Sequence, residues 1–92
     1  MKSKVLKTAW VIIRLGLADN FSQALRRAWT IIKISLGFGQ RISYVKQETG
    51  EIREAVALQV GSLDTLQKDF IRYMEQIDGT YQWRSFKVSM ML

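Results

Sequence analysis

An α+β fold is what the sequence predicts: two N-terminal amphipathic helices within residues 1–38, then a small antiparallel β-barrel of four to five strands within 40–92, in a single domain. Three observations point there. Apolar residues recur with the helical period of about 3.6 near the start of the chain. The same pattern returns nineteen residues later. Beyond Gly39 the period falls to about two, punctuated by the turn dipeptides Thr49-Gly50 and Asp78-Gly79.

The first helix is expected near 3–16. Leu6, Ala9, Trp10, Ile13 and Leu17 follow the spacing of one helix face. Leu25, Ala28, Trp29, Ile32 and Leu36 copy it, which places a second helix near 23–36. Gly16 suits the end of the first helix, because a residue without Cβ enters the left-handed region without strain. Ser22 is an expected N-cap of the second, and Gly37 and Gly39 close it. On this reading Trp10 and Trp29 belong to the core, and truncating either to Ala costs about 3 to 5 kcal/mol.

The strands follow in order. Arg41 to Lys46 reads as a strand, 47–50 as a turn, and Glu51 to Val60 as the hairpin partner. Residues 61–68 make a polar connection with room for one helical turn. Phe70 to Gln76 and Tyr81 to Ser89 form a second hairpin around Asp78-Gly79. On the last strand Trp83 and Phe86 have opposite parity, so one faces the core and the other faces out, where it suits base stacking.

Composition excludes several function classes. With 92 residues the chain buries only about 60 to 65% of its unfolded surface, which disfavours a deep enclosed active site. It has no Cys and no His, and therefore neither disulfides, thiolate metal sites, cysteine nucleophiles nor a Ser-His pair. No enzyme activity and no cofactor is expected. Lys2, Lys4 and Lys7 ahead of an apolar stretch faintly resemble a secretory leader, but Arg14 interrupts it and no small-residue cleavage site follows. A cytoplasmic protein without a membrane span is the expectation.

Charge is distributed unevenly. Residues 1–46 carry Lys2, Lys4, Lys7, Arg14, Arg26, Arg27, Lys33, Arg41 and Lys46 against Asp19 alone, a net of +8. The remainder carries Arg53, Lys68, Arg72, Arg84 and Lys87 against seven acids, a net of −2. A one-sided basic field attracts polyanions. Lys7 and Arg14 map by the nineteen-residue step onto Arg26 and Lys33, so each helix carries a basic flank about 80 to 100° from the centre of its expected apolar stripe.

Glu48-Thr49-Gly50-Glu51-Ile52-Arg53-Glu54-Ala55, followed by Gly79 and Trp83-Arg84-Ser85-Phe86, resembles a family of small WYL-like proteins found in Bacteroidetes genomes, their mobile elements and phages. Phe21-Ser22-Gln23-Ala24-Leu25-Arg26-Arg27-Ala28-Trp29 is similar to a helical segment that often precedes such barrels. The resemblance implies an Src-homology-3-like, Sm-like small β-barrel and a mobile-element context.

These readings converge on a non-enzymatic nucleic-acid-binding protein, taking RNA or DNA. Lys7, Arg14, Arg26, Arg27 and Lys33 are its candidate phosphate contacts on the helices, with Arg41, Lys46, Arg53 and Arg84 on the strands. Arg72 and Lys87 are candidates to join Arg53 and Arg84 on one face. The competing reading for the two arginines is an Arg53–Glu54 or Arg84–Glu51 surface pair. The alternative function is a protein-interaction inhibitor of a host defence nuclease, anti-CRISPR-like, whose basic charge occupies the nuclease's nucleic-acid channel.

Overall fold

The computed structural model describes residues 2–92. Helices α1 (Lys2–Arg14) and α2 (Phe21–Ser35) precede strands β1 (Gln40–Val45), β2 (Ile52–Ala57), β3 (Gln59–Val60), β4 (Ile71–Ile77) and β5 (Thr80–Phe86), with 3-10 turns at Leu63–Lys68 and Val88–Met90. The α+β class and the order of elements are those expected.

Gly16, at φ +72°, ends α1, and its N–H and that of Leu17 return to the carbonyls of Ile13 and Ile12. The start of α2 differs from expectation, because Asn20 rather than Ser22 is the cap. The Gln23 N–H donates to Asn20 Oδ1 at 2.8 Å, and the Asp19 N–H donates to Gln23 Oε1 at 2.7 Å. Two backbone donors are satisfied at once, which Ser22, already inside the first turn, cannot achieve.

The buried helix faces are also displaced. Val5, Ala9 and Ile12 on α1 and Ala24, Ala28 and Ile31 on α2 are buried, whereas Leu6 and Leu36 are exposed, as is Trp10 at 61% and Trp29 at 38%. The core face therefore lies about 100° from the expected stripe, the angle of one residue. The two tryptophans are surface residues, which corrects their assignment to the core. The cause is packing: α1 and α2 lie against each other, and the fully buried Ala9, Ala24 and Ala28 permit a close approach that indole rings would prevent. Because Val5/Leu6, Ile12/Ile13 and Ile31/Ile32 are adjacent apolar pairs, both registers had an apolar face.

β1 and β2 form the first hairpin, from Gln40↔Ala57 to Val45↔Ile52. β4 and β5 form the second around Asp78 (φ +51°) and Gly79 (φ +79°), the two positive angles of a type I′ turn. The single strand expected over 51–60 is divided at Leu58, whose N–H donates to Met74 O at 2.8 Å. β2 thus stays with β1 while β3 joins β4, giving a two-stranded sheet and a three-stranded sheet in the order β3-β4-β5. After β5 the chain turns through Val88–Met90, and Met91 bridges back to Tyr44 while the Leu92 N–H donates to Ser43 O.

One apolar cluster draws on both helices and both sheets, and includes Ile31, Ile32 and Ile34 together with Ile42, Ile71 and Val88. Tyr44, Tyr73 and Phe86 form its aromatic centre, with ring centroids 5.4 to 6.1 Å apart. The Tyr44 and Tyr73 hydroxyls are hydrogen-bonded to each other at 2.8 Å.

Candidate nucleic-acid interface

The rotation of the helix faces rearranges the candidate phosphate contacts. With Val5, Ala9 and Ile12 inside, Lys7, Trp10 and Arg14 share the opposite, outer face of α1, about 150 to 170° from the buried centre for the two cations. Arg26, Trp29 and Lys33 share the outer face of α2 at the same spacing, i, i+3 and i+7. Each helix therefore presents a tryptophan between two cations. The basic residues lie opposite the buried stripe, not on its flank. Neither helix contains an acidic residue. Lys33 Nζ sits 5.1 Å from the centroid of the Trp29 ring, and Trp10 packs on Phe21 with ring centroids 4.7 Å apart.

Arg27 departs from its neighbours. Its side chain points inward, where Nη1 donates to Leu17 O and Nη2 donates to Met91 O at 2.7 Å. The guanidinium thereby ties the interhelical loop to the C-terminal residues. Burial lowers its pKa, and Asp19 opposes that shift. A side chain so engaged is no surface phosphate contact, and Arg27 leaves the candidate set. The reason is register: on the rotated helix, position 27 falls between Ala24 and Ile31 on the core side.

On the strands, Arg41 is exposed on β1 beside Val56. Arg53 and Arg84 come together as expected, but on neither expected partner. Arg53 Nη2 donates to Glu75 Oε1, and Arg84 Nε donates to the same oxygen at 2.6 Å. Glu54 lies on the other face of β2, and Glu75, only 4% exposed, occupies the inward parity of β4 with Ile71 and Tyr73. At Arg53 burial works against the charge, but Tyr73 and Glu75 outweigh it and the pKa is raised. Arg84 Nη2 also donates to Gln82 Oε1 at 3.1 Å.

Beside this triad lies a cleft of about 430 Å³ bordered by Lys46, Arg53, Arg84 and Lys87, with Tyr44, Phe70 and Phe86 among its walls. Lys87 thus joins Arg53 and Arg84. Arg72 does not, since even positions of β4 face the other way, and its guanidinium lies 5.4 Å from the centroid of the Trp83 ring. Trp83 is 48% exposed whereas Phe86 is 4% exposed, so Trp83 is the outward member of that pair. The hub that sequence reasoning missed is Glu75. Its signal was present, since an acid in phase with Ile71 and Tyr73 on one strand face must find cations when that face is buried.

Among the described residues no group of His, Cys, Asp and Glu is placed to hold a metal ion, and no helix is long and apolar enough to cross a membrane. Compared with family models, with curated proteins and with solved structures, the chain matches none.

Proposed function

We propose that this chain is a non-enzymatic nucleic-acid-binding protein. The observation that carries the reading is the duplicated outer helix face, Lys7–Trp10–Arg14 and Arg26–Trp29–Lys33, on two helices without an acid. Cations at this spacing neutralise backbone phosphates, and an exposed indole between them offers a surface on which a base stacks. Trp is highly buried on average, so leaving both helix tryptophans outside forgoes apolar burial that a purely structural role would use. Trp83 over Arg72 adds a third aromatic–cation pair on the strands. Lys46, Arg53, Arg84 and the exposed Arg41 are auxiliary contacts in this reading.

The divided strand at Leu58, the 3-10 turn after β5 and the return of Met91 to β1 support an Src-homology-3-like, Sm-like barrel. They are features of the kind of fold that the WYL-like resemblance implies. The test is fluorescence anisotropy of DNA and RNA oligomers across a salt series, for the parent and for Arg26→Glu/Lys33→Glu. Each lost phosphate contact lowers the log–log salt slope by about 0.7 to 0.9, so the double variant flattens it by roughly two units. A parent that binds no oligomer below ~100 μM at low salt overturns the reading. Docking in a host nuclease's nucleic-acid channel then becomes the function to test.

A further inference from the structure

The cleft beside β5 differs from the helical surface in kind, because two of its cations, Arg53 and Arg84, are held in place. Two guanidiniums, from β2 and β5, share one carboxylate oxygen of Glu75. One carboxylate cannot neutralise two arginines. Lys46 and Lys87 add two charges at the rim, against Glu48 as the acid on the lining. Counting Glu75, four cations face two acids, an excess of two positive charges around one partly enclosed cavity. Partly buried positive charge of this kind is costly unless an anion completes it.

We infer that this cleft is a binding site for a phosphate monoester carried on a ring-bearing body, of which a mononucleotide is the simplest form. A phosphate monoester carries about −1.5 to −2 charges near pH 7, which matches the excess, whereas a carboxylate leaves half of it uncompensated. Arginine guanidiniums donate N–H groups to the oxygens of a tetrahedral phosphate. Tyr44, Phe70 and Phe86 supply apolar wall to the same cavity, whose volume of about 430 Å³ lies in the range of small-ligand pockets. Glu75 holds both guanidiniums beside the cleft, so it acts as a positioning residue. The site stands on different residues from the duplicated helix face, and shares only the auxiliary contacts Lys46, Arg53 and Arg84 with that reading.

The phosphate group has two sources, a free nucleotide or the phosphorylated end of a nucleic-acid strand. The experiment is a titration of the full chain followed by the Nε–Hε resonances of Arg53 and Arg84, with inorganic phosphate, AMP and adenosine, each against chloride at matched ionic strength. Saturable shifts with phosphate and tighter ones with AMP are expected, and none with adenosine. Lys46→Ala/Lys87→Ala, on the rim, and Arg84→Lys, which keeps the charge but loses the fork, should each weaken AMP binding about tenfold. A terminally phosphorylated oligonucleotide is compared with its unphosphorylated twin in parent and variants. An advantage of the phosphorylated form that the rim substitutions abolish assigns the site to strand ends, while an effect confined to AMP assigns it to free nucleotides. Equal shifts with phosphate and chloride, equal binding of AMP and adenosine, or variants that bind AMP as the parent does overturn the inference. Loss of the helical salt slope with AMP binding intact would instead count against the function proposed for the helices alone.

Discussion

On α1 and α2 four cations, Lys7, Arg14, Arg26 and Lys33, stand without an acidic partner among the described residues, while on β2 and β5 Arg53 and Arg84 converge on one buried carboxylate. Both regions are rich in arginine or lysine, and the difference arises from what the local geometry sets beside each charge. A helix face gathers residues three and four apart, and neither helix has an acid anywhere to offer. A strand pair gathers residues across the ladder, and β4 holds Glu75 on the face toward which Arg53 and Arg84 also point. Charge counts thus set the field around the molecule, while packing decides which cations remain free to meet a ligand. Arg27 shows this within one helix, since it follows Arg26 in sequence yet is spent on Leu17 and Met91.

The sharpest way to break this contrast is at Arg27. Arg27→Ala leaves the Leu17 and Met91 carbonyls buried without donors and opens a space in the core, so urea unfolding should show a loss of about 3 to 5 kcal/mol. The neighbouring Arg26→Ala should change stability by no more than about 0.5 kcal/mol. Equal effects at the two positions would undo the distinction between the inward and outward arginines.

Removing the carboxylate hub comes next. Glu75→Gln leaves Arg53 and Arg84 facing each other without a counter-charge, at a cost of about 1 to 3 kcal/mol, below the figure for a fully buried pair because both arginines keep contact with water. Unchanged denaturant midpoints would show that the triad contributes no net stability.

The tryptophans sharpen the comparison on the helical side. Trp10 and Trp29 are exposed, so each Trp→Ala should lose about 1 kcal/mol, well under the 3 to 5 of a core truncation. Thermal melts of the two variants measure this directly, and losses of core size would return the indoles to the interior.

A smaller effect concerns alkaline pH. Burial, with the Tyr73 hydroxyl beside it, raises the Tyr44 phenol far above the usual tyrosine range. The folded chain then keeps a proton that the unfolded chain releases near pH ~10, so the contribution is intact below that value and is lost as pH climbs toward the folded one. Stability measured by urea unfolding should decline from pH ~10 upward, and Tyr44→Phe should lessen that decline. A parent and variant with parallel profiles would remove Tyr44 as its source.

Much of the fold was legible because its signals are local. Period, Gly16, Gly37 and Asp78-Gly79 mark where helices and hairpins begin and end, since a positive φ or a change from helical to strand spacing leaves its trace in neighbouring residues. The meeting of Arg53 with Arg84 was also expected, from the matching motifs in which they sit on the two hairpins. The missed features depend on more distant choices. Ser22 was a reasonable cap, but Gln23 reaching back to Asp19 favoured Asn20. Nothing local marked Leu58 as the point where one strand passes between two sheets.

By itself, then, the sequence determined the order and kind of the elements, the turns that join them, and a basic excess confined to residues 1–46. The tertiary structure alone decided which of two adjacent apolar faces each helix buries. Close packing of Ala9, Ala24 and Ala28 favours the register that sends Trp10 and Trp29 outward and Arg27 inward, and rotation by one residue moves every side chain by about 100°. It also decided that Glu75 would hold both Arg84 of its own hairpin and Arg53 of the other sheet, because a carboxylate buried on a strand face must take its partners from whatever strands lie across from it.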